Sequence, residues 1–293
     1  MPGQWDPRGG PDRDTRTPRF KLPKGACDAH VHVFGPRERF AFAPEQLARA
    51  FDAPKEDLAA MHAVIGAERC VIVHGAKHGN DLSVTLDAMA SDAARYRAVA
   101  VVSDAITDAQ LEALDRAGVR GVRYNIVPHL GGPPDPDAMR RMAERIAGLG
   151  WHLVLHMRDD DILTYADLFR SLKAPLLFDH MARIDPAKGG VDQTAFRTLL
   201  GFLESGDNWV KIAAVEKISR LPYPFDDVVS MAACLIEAAP DRVIWGTDWP
   251  HPDVGPQGPS NDGDLVDLIP AFAPDAAARR KLLVDNPARL YRF

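Results

Sequence analysis

The chain has 293 residues, 46% hydrophobic and 26% charged, an ordinary globular composition with ample material for a core. Its net charge of −6 carries no long run of one sign, which argues against a nucleic-acid partner. No apolar run approaches the roughly 18 residues of a transmembrane helix, and no apolar signal core opens the chain, so no membrane partner and a cytoplasmic location are expected.

Residues 1–24 are rich in Pro, Gly, Arg and Asp and poor in aliphatic side chains. They cannot bury enough surface to fold alone, so a flexible N-terminal tail is expected, with one ordered domain over 25–293. That domain opens on Cys27-Asp28-Ala29-His30-Val31-His32-Val33-Phe34, which alternates like a strand. Alternation predicts Asp28, His30 and His32 on one face and Ala29, Val31 and Val33 on the other. Two neutral imidazoles on one rigid edge suit a divalent metal, although a lone His-x-His also serves inside a core.

Short apolar runs that follow predict further strands at 69–75, 96–103, 118–126, 152–157, 175–180, 209–214 and 242–249. Helical stretches lie between them at 55–65, 80–94, 107–117, 135–149, 160–172, 192–205 and 225–238, and final helices at 261–272 and 275–284 precede a turn opened by Pro287. Asp108, Asp137 and Asp192 stand near helix starts, and Gly118 and Gly150 follow helix ends. Eight strands alternating with helices give an α/β fold, a single-domain (β/α)8 TIM barrel. The alternative, a doubly wound open sheet, lacks a Gly-x-Gly-x-x-Gly after the first strand, and no P-loop is present. Segment 35–54 is long for a strand-to-helix loop, carries Phe40, Phe42 and Phe51, and is a candidate lid. Cys27, Cys70 and Cys234 are far apart, odd in number and set in apolar runs, as reduced packing residues are.

In such a barrel the active site forms at the C-terminal ends of the strands. Six of the ten histidines, His30, His32, His74, His156, His180 and His251, fall at or just past a predicted strand end. His30, His32, His156 and Asp248 make a mononuclear zinc set with room for water. A metal-bound water ionises near neutral pH, and Asp248 would take its proton and return it to the leaving group. His180 would donate to the developing oxyanion. Arg123, with Arg158 or Arg183, would hold a substrate carboxylate by paired hydrogen bonds, unless these arginines only close ion pairs at the rim. His78, Tyr124, Lys217 and His251 complete the substrate-facing set; His251, after a proline, would fix its loop or line the rim. Lys211 reads as a buried network member and Asp179 as a residue that orients His180 or caps the next turn.

These residues resemble the amidohydrolase superfamily. Asp28-Ala-His30-Val-His32-Val-Phe-Gly35 is similar to its strand-1 signature, and Trp245-Gly-Thr-Asp248-Trp-Pro-His251-Pro to its strand-8 signature. Together with Phe178-Asp-His180-Met and Asp285-Asn-Pro-Ala-Arg-Leu-Tyr291, they resemble the branch of 2-pyrone-4,6-dicarboxylate lactonases and related lactone hydrolases and isomerases. The similarity runs from about Pro23 to Tyr291. It implies a (β/α)8 barrel that hydrolyses a lactone from aromatic-acid degradation. Asp248 would act on water, with His30, His32 and His180 around it and Arg123 on a substrate carboxylate.

Two departures stand out. The pyrone-dicarboxylate lactonases lack a strand-5 histidine and work without metal, whereas His156 stands here, as in zinc-binding relatives that include decarboxylases. Two further arginines of that branch are replaced by His129 and Lys217, and a tyrosine of the first loop by a residue near Ala48. The resulting expectation is a hydrolase, monomeric or homodimeric, that opens a small anionic lactone, a carboxylated or sulfonated muconolactone or pyrone, with Zn2+. The alternatives are a metal-dependent decarboxylase of an aromatic or muconate-type acid and a sugar-acid lactone isomerase.

Overall fold

The computed structural model describes residues 10–130, 132, 135–253 and 260–293. Residues 1–9 of the expected tail and the side chain of His129 lie outside this description. Eight parallel strands follow one another in chain order: β1 Cys27–Val31, β2 Arg69–Val73, β3 Tyr96–Ala100, β4 Val119–Asn125, β5 His152–His156, β6 Leu176–Phe178, β7 Trp209–Ile212 and β8 Val243–Trp245. Between and after them run α1 Lys55–Ile65, α2 Ser83–Ser91, α3 Asp108–Arg116, α4 Pro136–Ala147, α5 Asp161–Thr164, α6 Ala166–Arg170, α7 Thr194–Glu204, α8 Val215–Ile218, α9 Asp226–Ala238, α10 Asp262–Asp267, α11 Ile269–Phe272, α12 Ala276–Arg280 and α13 Asn286–Tyr291.

The expected (β/α)8 barrel is what forms. Its strands are shorter at their C-terminal ends than the apolar runs predict. The backbone there leaves the sheet to aim polar groups: His180, Met181, Ala182, Arg183, Ala214 and Asp248 all have positive φ. Asp108 opens α3 behind a capping box of Thr107 and Gln110, and Asp135 rather than Asp137 caps α4. No helix among the described residues is long and apolar enough to cross a membrane.

Two apolar layers hold the barrel. Cys70, Ile72, Val122, Leu153, Leu155, Phe178 and Ile212 pack outward against helix residues such as Leu58, Met139, Phe196 and Met231. Cys27, Ala29, Val71, Val73, Val99, Val154, Leu177 and Ile244 pack on each other inside, where Tyr291 of α13 closes the floor. β8 meets β1 through single contacts: Asp248 N donates to His30 O at 2.9 Å and His32 N to Trp249 O at 2.7 Å. A Cβ at position 246 would stand 2.5 Å from His30 N, so only glycine lets the two strands approach.

The described part of the tail lies against the barrel. Arg16 N donates to Asn261 Oδ1 at 2.9 Å, Phe20 N to Asp267 Oδ1 at 2.8 Å, and Arg13 pairs with Asp57 at 2.9 Å. Short polar contacts to α1 and α10 supply what an apolar core of its own does not.

Candidate active site

β1 departs from strict alternation, and the departure builds the site. Its register against β2 shifts between Asp28 and Val31, the mark of a β-bulge. Asp28 therefore does not share a face with the two histidines, as alternation predicts. It points outward: Thr247 Oγ1 donates to Asp28 Oδ2 at 2.7 Å, Thr247 N to Oδ1 at 3.0 Å, and His62 Nε2 lies 3.2 Å from Oδ2. The Asp28 carboxylate thus ties β1 to β8 while the bulge turns His30 and His32 inward.

Both inward imidazoles converge on Asp248. His30 Nε2 and His32 Nε2 each lie 3.3 Å from Asp248 Oδ1, and the Lys217 ammonium pairs with Oδ2. His32 Nδ1 is 2.7 Å from Val73 O, and a carbonyl only accepts, so Nδ1 carries the proton. In the neutral ring, Nε2 then presents its lone pair to a carboxylate, which calls for a proton or cation between them. One ligand atom each from His30, His180 and Asp248 lie within 4.8 Å of one another, and His30 Nε2 and His180 Nδ1 are buried without a hydrogen-bond partner among the described residues. Nitrogen and carboxylate donors of this kind fit a divalent cation such as zinc.

Beneath them is a buried ionic cluster. Lys211 Nζ is 2.9 Å from Asp179 Oδ1, Arg123 Nε is 3.1 Å from Oδ2, and His30 Nδ1 is 3.3 Å from Oδ1. Asp179 thus faces His30 rather than His180, which corrects the sequence reading; Lys211, the network member expected, donates to His30 Nδ1 at 3.0 Å. Burial alone would raise the Asp179 pKa, but Lys211, His30 and Arg123 hold it well below the usual carboxylate range. Asp248 is held low in the same way, chiefly by Lys217. Burial, helped by Lys211, drops His30 to about 3. At neutral pH the site therefore offers ionised carboxylates and uncharged His30 and His180 rings.

A cavity of about 250 Å³ opens over these groups, lined by His32, Arg123, His156, His180, Arg183, Lys217 and Asp248 among others. Four residues expected to face substrate are not on it. Arg158 is exposed and uses its backbone N–H on Asp161. His78 sits below segment 35–54, its Nδ1 2.8 Å from Ala41 O while Gly35 N donates to Nε2 at 3.2 Å. Tyr124 packs against the outer apolar layer, because β4 alternation puts it on the face opposite Arg123. His251 is buried between Glu216 and Asp262.

His156 reaches the cavity but stands outside the compact ligand group, where His180 takes the place expected of it. Arg183 Nη1 donates to His156 Nε2 at 3.4 Å, so Nδ1 keeps the ring proton and faces Asn125 Oδ1 at 3.0 Å. The one ring lone pair, on Nε2, thus faces Arg183. His74, also at a strand end, is held by Thr85 and Gly79 O.

Segment 35–54 covers one side of the cavity with Glu45, Gln46 and Arg49 of the short 3-10 helix Pro44–Arg49. Its base is closed by Phe34 N to Ala53 O at 2.9 Å and the reciprocal bond at 2.8 Å. Lys77, which sequence reading overlooked, lines the cavity, donates to Arg49 O and lies over the Phe51 ring at 4.4 Å. Its place directly after β2 was the available signal; the lid residues carry no periodicity that would have selected them.

The buried histidines set a pH prediction. Burial lowers His30 and His152 to about 3 and His74 to about 4, while unfolded histidines titrate near 6.5. Below pH 6.5 the unfolded chain binds more protons, so the metal-free protein should lose stability, roughly 4 kcal/mol per pH unit for three histidines. Burial would lower His251 as well, but Asp262 and Glu216 outweigh it and push its pKa up to about 10. That contribution is complete below pH 6.5 and fades as pH rises toward 10, so a stability maximum is expected near pH 6.5. Urea unfolding across this range checks it; a flat curve on the acid side would contradict the neutral buried rings.

Comparison with known proteins places the chain in a family. The amidohydrolase family profile matches residues 27–293. The 2-pyrone-4,6-dicarboxylate hydrolase of Comamonas testosteroni is 44% identical over 283 residues, covering 94% of this chain and 92% of that protein. The 4-sulfomuconolactone hydrolase of Hydrogenophaga intermedia is 38% identical over 286 residues, covering 96% and 93%. An Agrobacterium tumefaciens protein solved in its apo state superposes with a TM-score of 0.81 at 27% identity, covering 94% and 98%.

Proposed function

The chain belongs to the amidohydrolase family, and from that premise we propose that it hydrolyses the ring ester of a small anionic lactone with Asp248 as base. The observation that carries this is the ionised Asp248 on the cavity wall, with His30, His32 and His180 around it and cationic side chains opposite. Relatives named for opening a pyrone dicarboxylate and a sulfomuconolactone support a carboxylated or sulfonated ring as substrate.

The residues divide the work. Arg123, whose Nε is committed to Asp179, and Arg183 hold the substrate anion. Lys217 fixes Asp248 Oδ2, and Oδ1, set between His30 and His32, is the oxygen that takes the proton. Asp248 takes a water proton as the oxygen adds to the ring carbonyl, and His180 donates an N–H to the oxyanion. The ring C–O bond then breaks, and Asp248 returns the proton to the leaving oxygen. A divalent cation held by His30, His180 and Asp248 would supply Lewis-acid polarisation and a lower water pKa.

Turnover of a lactone panel in 18O-labelled water tests this. Hydrolysis places one labelled oxygen in the new carboxylate; an isomerase takes up none, and a lyase releases CO2. Arg183→Ala should raise KM about 10- to 100-fold with a smaller change in kcat, as loss of a charge-assisted contact does. Arg158→Ala should leave both near wild type. Steady-state kinetics on both variants distinguish a cavity arginine from a surface one.

A further inference from the structure

We propose that His251 is a positioning residue that holds the Asp248–Lys217 pair in register through a buried clamp with Glu216 and Asp262. Its Nδ1 lies 3.3 Å from Glu216 Oε1 and its Nε2 3.2 Å from Asp262 Oδ1. Both partners are carboxylates, so both ring nitrogens donate and the ring is an imidazolium. All three side chains are at most 2% exposed, and the remaining oxygens, Glu216 Oε2 and Asp262 Oδ2, are buried without a hydrogen-bond partner among the described residues. Each acid thus spends its buried contact on His251.

The clamp closes a ring of connections around the base. Asp248 has φ +66 and His251 φ +56, backbone that non-glycine residues keep only when surroundings over-determine it. Asp248 N donates to His30 O, and His251 N donates to Asp248 O at 2.8 Å, so the base is pinned through both of its backbone polar groups. Glu216 and Lys217 are neighbours on α8: one grips His251, the other grips Asp248. Asp262 opens α10 and anchors the far ring nitrogen to the outer layer. A shift of His251 therefore moves the carboxylate and its ammonium partner together.

The inference rests on Asp248 as the base of lactone hydrolysis, and wild-type turnover is measured in the same series. His251→Gln keeps a donor but loses the charge. Its kcat should fall about 10- to 100-fold, as loss of an orienting partner does, with KM changed far less. In the triple variant Glu216→Gln, His251→Gln, Asp262→Asn no carboxylate is left buried without a cation, so Tm should recover while kcat stays low. Recovery of both, or wild-type kcat in the single variant, would overturn the proposal. In 15N-histidine spectra of the intact wild-type enzyme at neutral pH, His251 should show two protonated ring nitrogens, and a neutral ring would equally overturn it. That spectrum decides the clamp even if no lactone is turned over, an outcome that would count against the proposed function instead.

Discussion

Replacing Asp248 by Asn should lower kcat/KM about 10³-fold or more, about 4 kcal/mol of barrier, while the barrel stays folded. Asparagine keeps the shape and can still accept from Lys217, but it takes no proton. The carboxylate stands among Lys217, His30, His32 and His180, all of which favour its ionised form. A base held that far below its usual range is weak, so the surroundings compensate by position: the bulged β1 and the residue's own left-handed backbone fix it. Elemental analysis on the same samples tests the cation reading. About one zinc per wild-type chain and less in Asp248→Asn is the expected result. A wild type active without bound metal would leave the His180 N–H as the group that polarises the carbonyl. Wild-type kcat in Asp248→Asn would remove the mechanism altogether.

The second large effect is on stability. Lys211→Met should destabilise the fold by about 3 kcal/mol or more, because it strips Asp179 of its nearest buried countercharge. Arg123 remains as a partner through Oδ2, which limits the loss. For a chain of this size the change should lower Tm by about 5 °C or more. Adding Asp179→Asn removes the unpaired charge and should recover a substantial part of it. Thermal unfolding of both variants checks the pair; a Lys211→Met protein as stable as wild type would mean that the cluster is wetter than its zero exposure indicates.

The lesson of Asp179 and His251 is the same. A sequence shows which residue types lie near strand ends, but partners far apart in the chain are invisible to it. Asp179 was legible only as the neighbour of His180; its partners Arg123, Lys211 and His30 come from three other strands or their ends. His251 was legible as part of a strand-8 motif, yet its role depends on Glu216 and Asp262 arriving from separate helices. Tyr124 and Arg158 show the reverse error: sitting at a strand end does not decide which way a side chain points.

The sequence by itself determined the alternation of eight strands and their helices, because apolar periodicity and capping residues are local properties that burial then enforces. It also determined that His30, His32, His180 and Asp248 meet, because parallel strands closing in order bring all their C-terminal ends to one rim. Only the tertiary structure decided that a bulge turns Asp28 away from the histidines, and that His180 rather than His156 joins the compact donor group. Those outcomes hinge on register shifts of one residue and on which ring nitrogen a carbonyl or guanidinium engages, and both are set by neighbours distant in the chain or across the sheet.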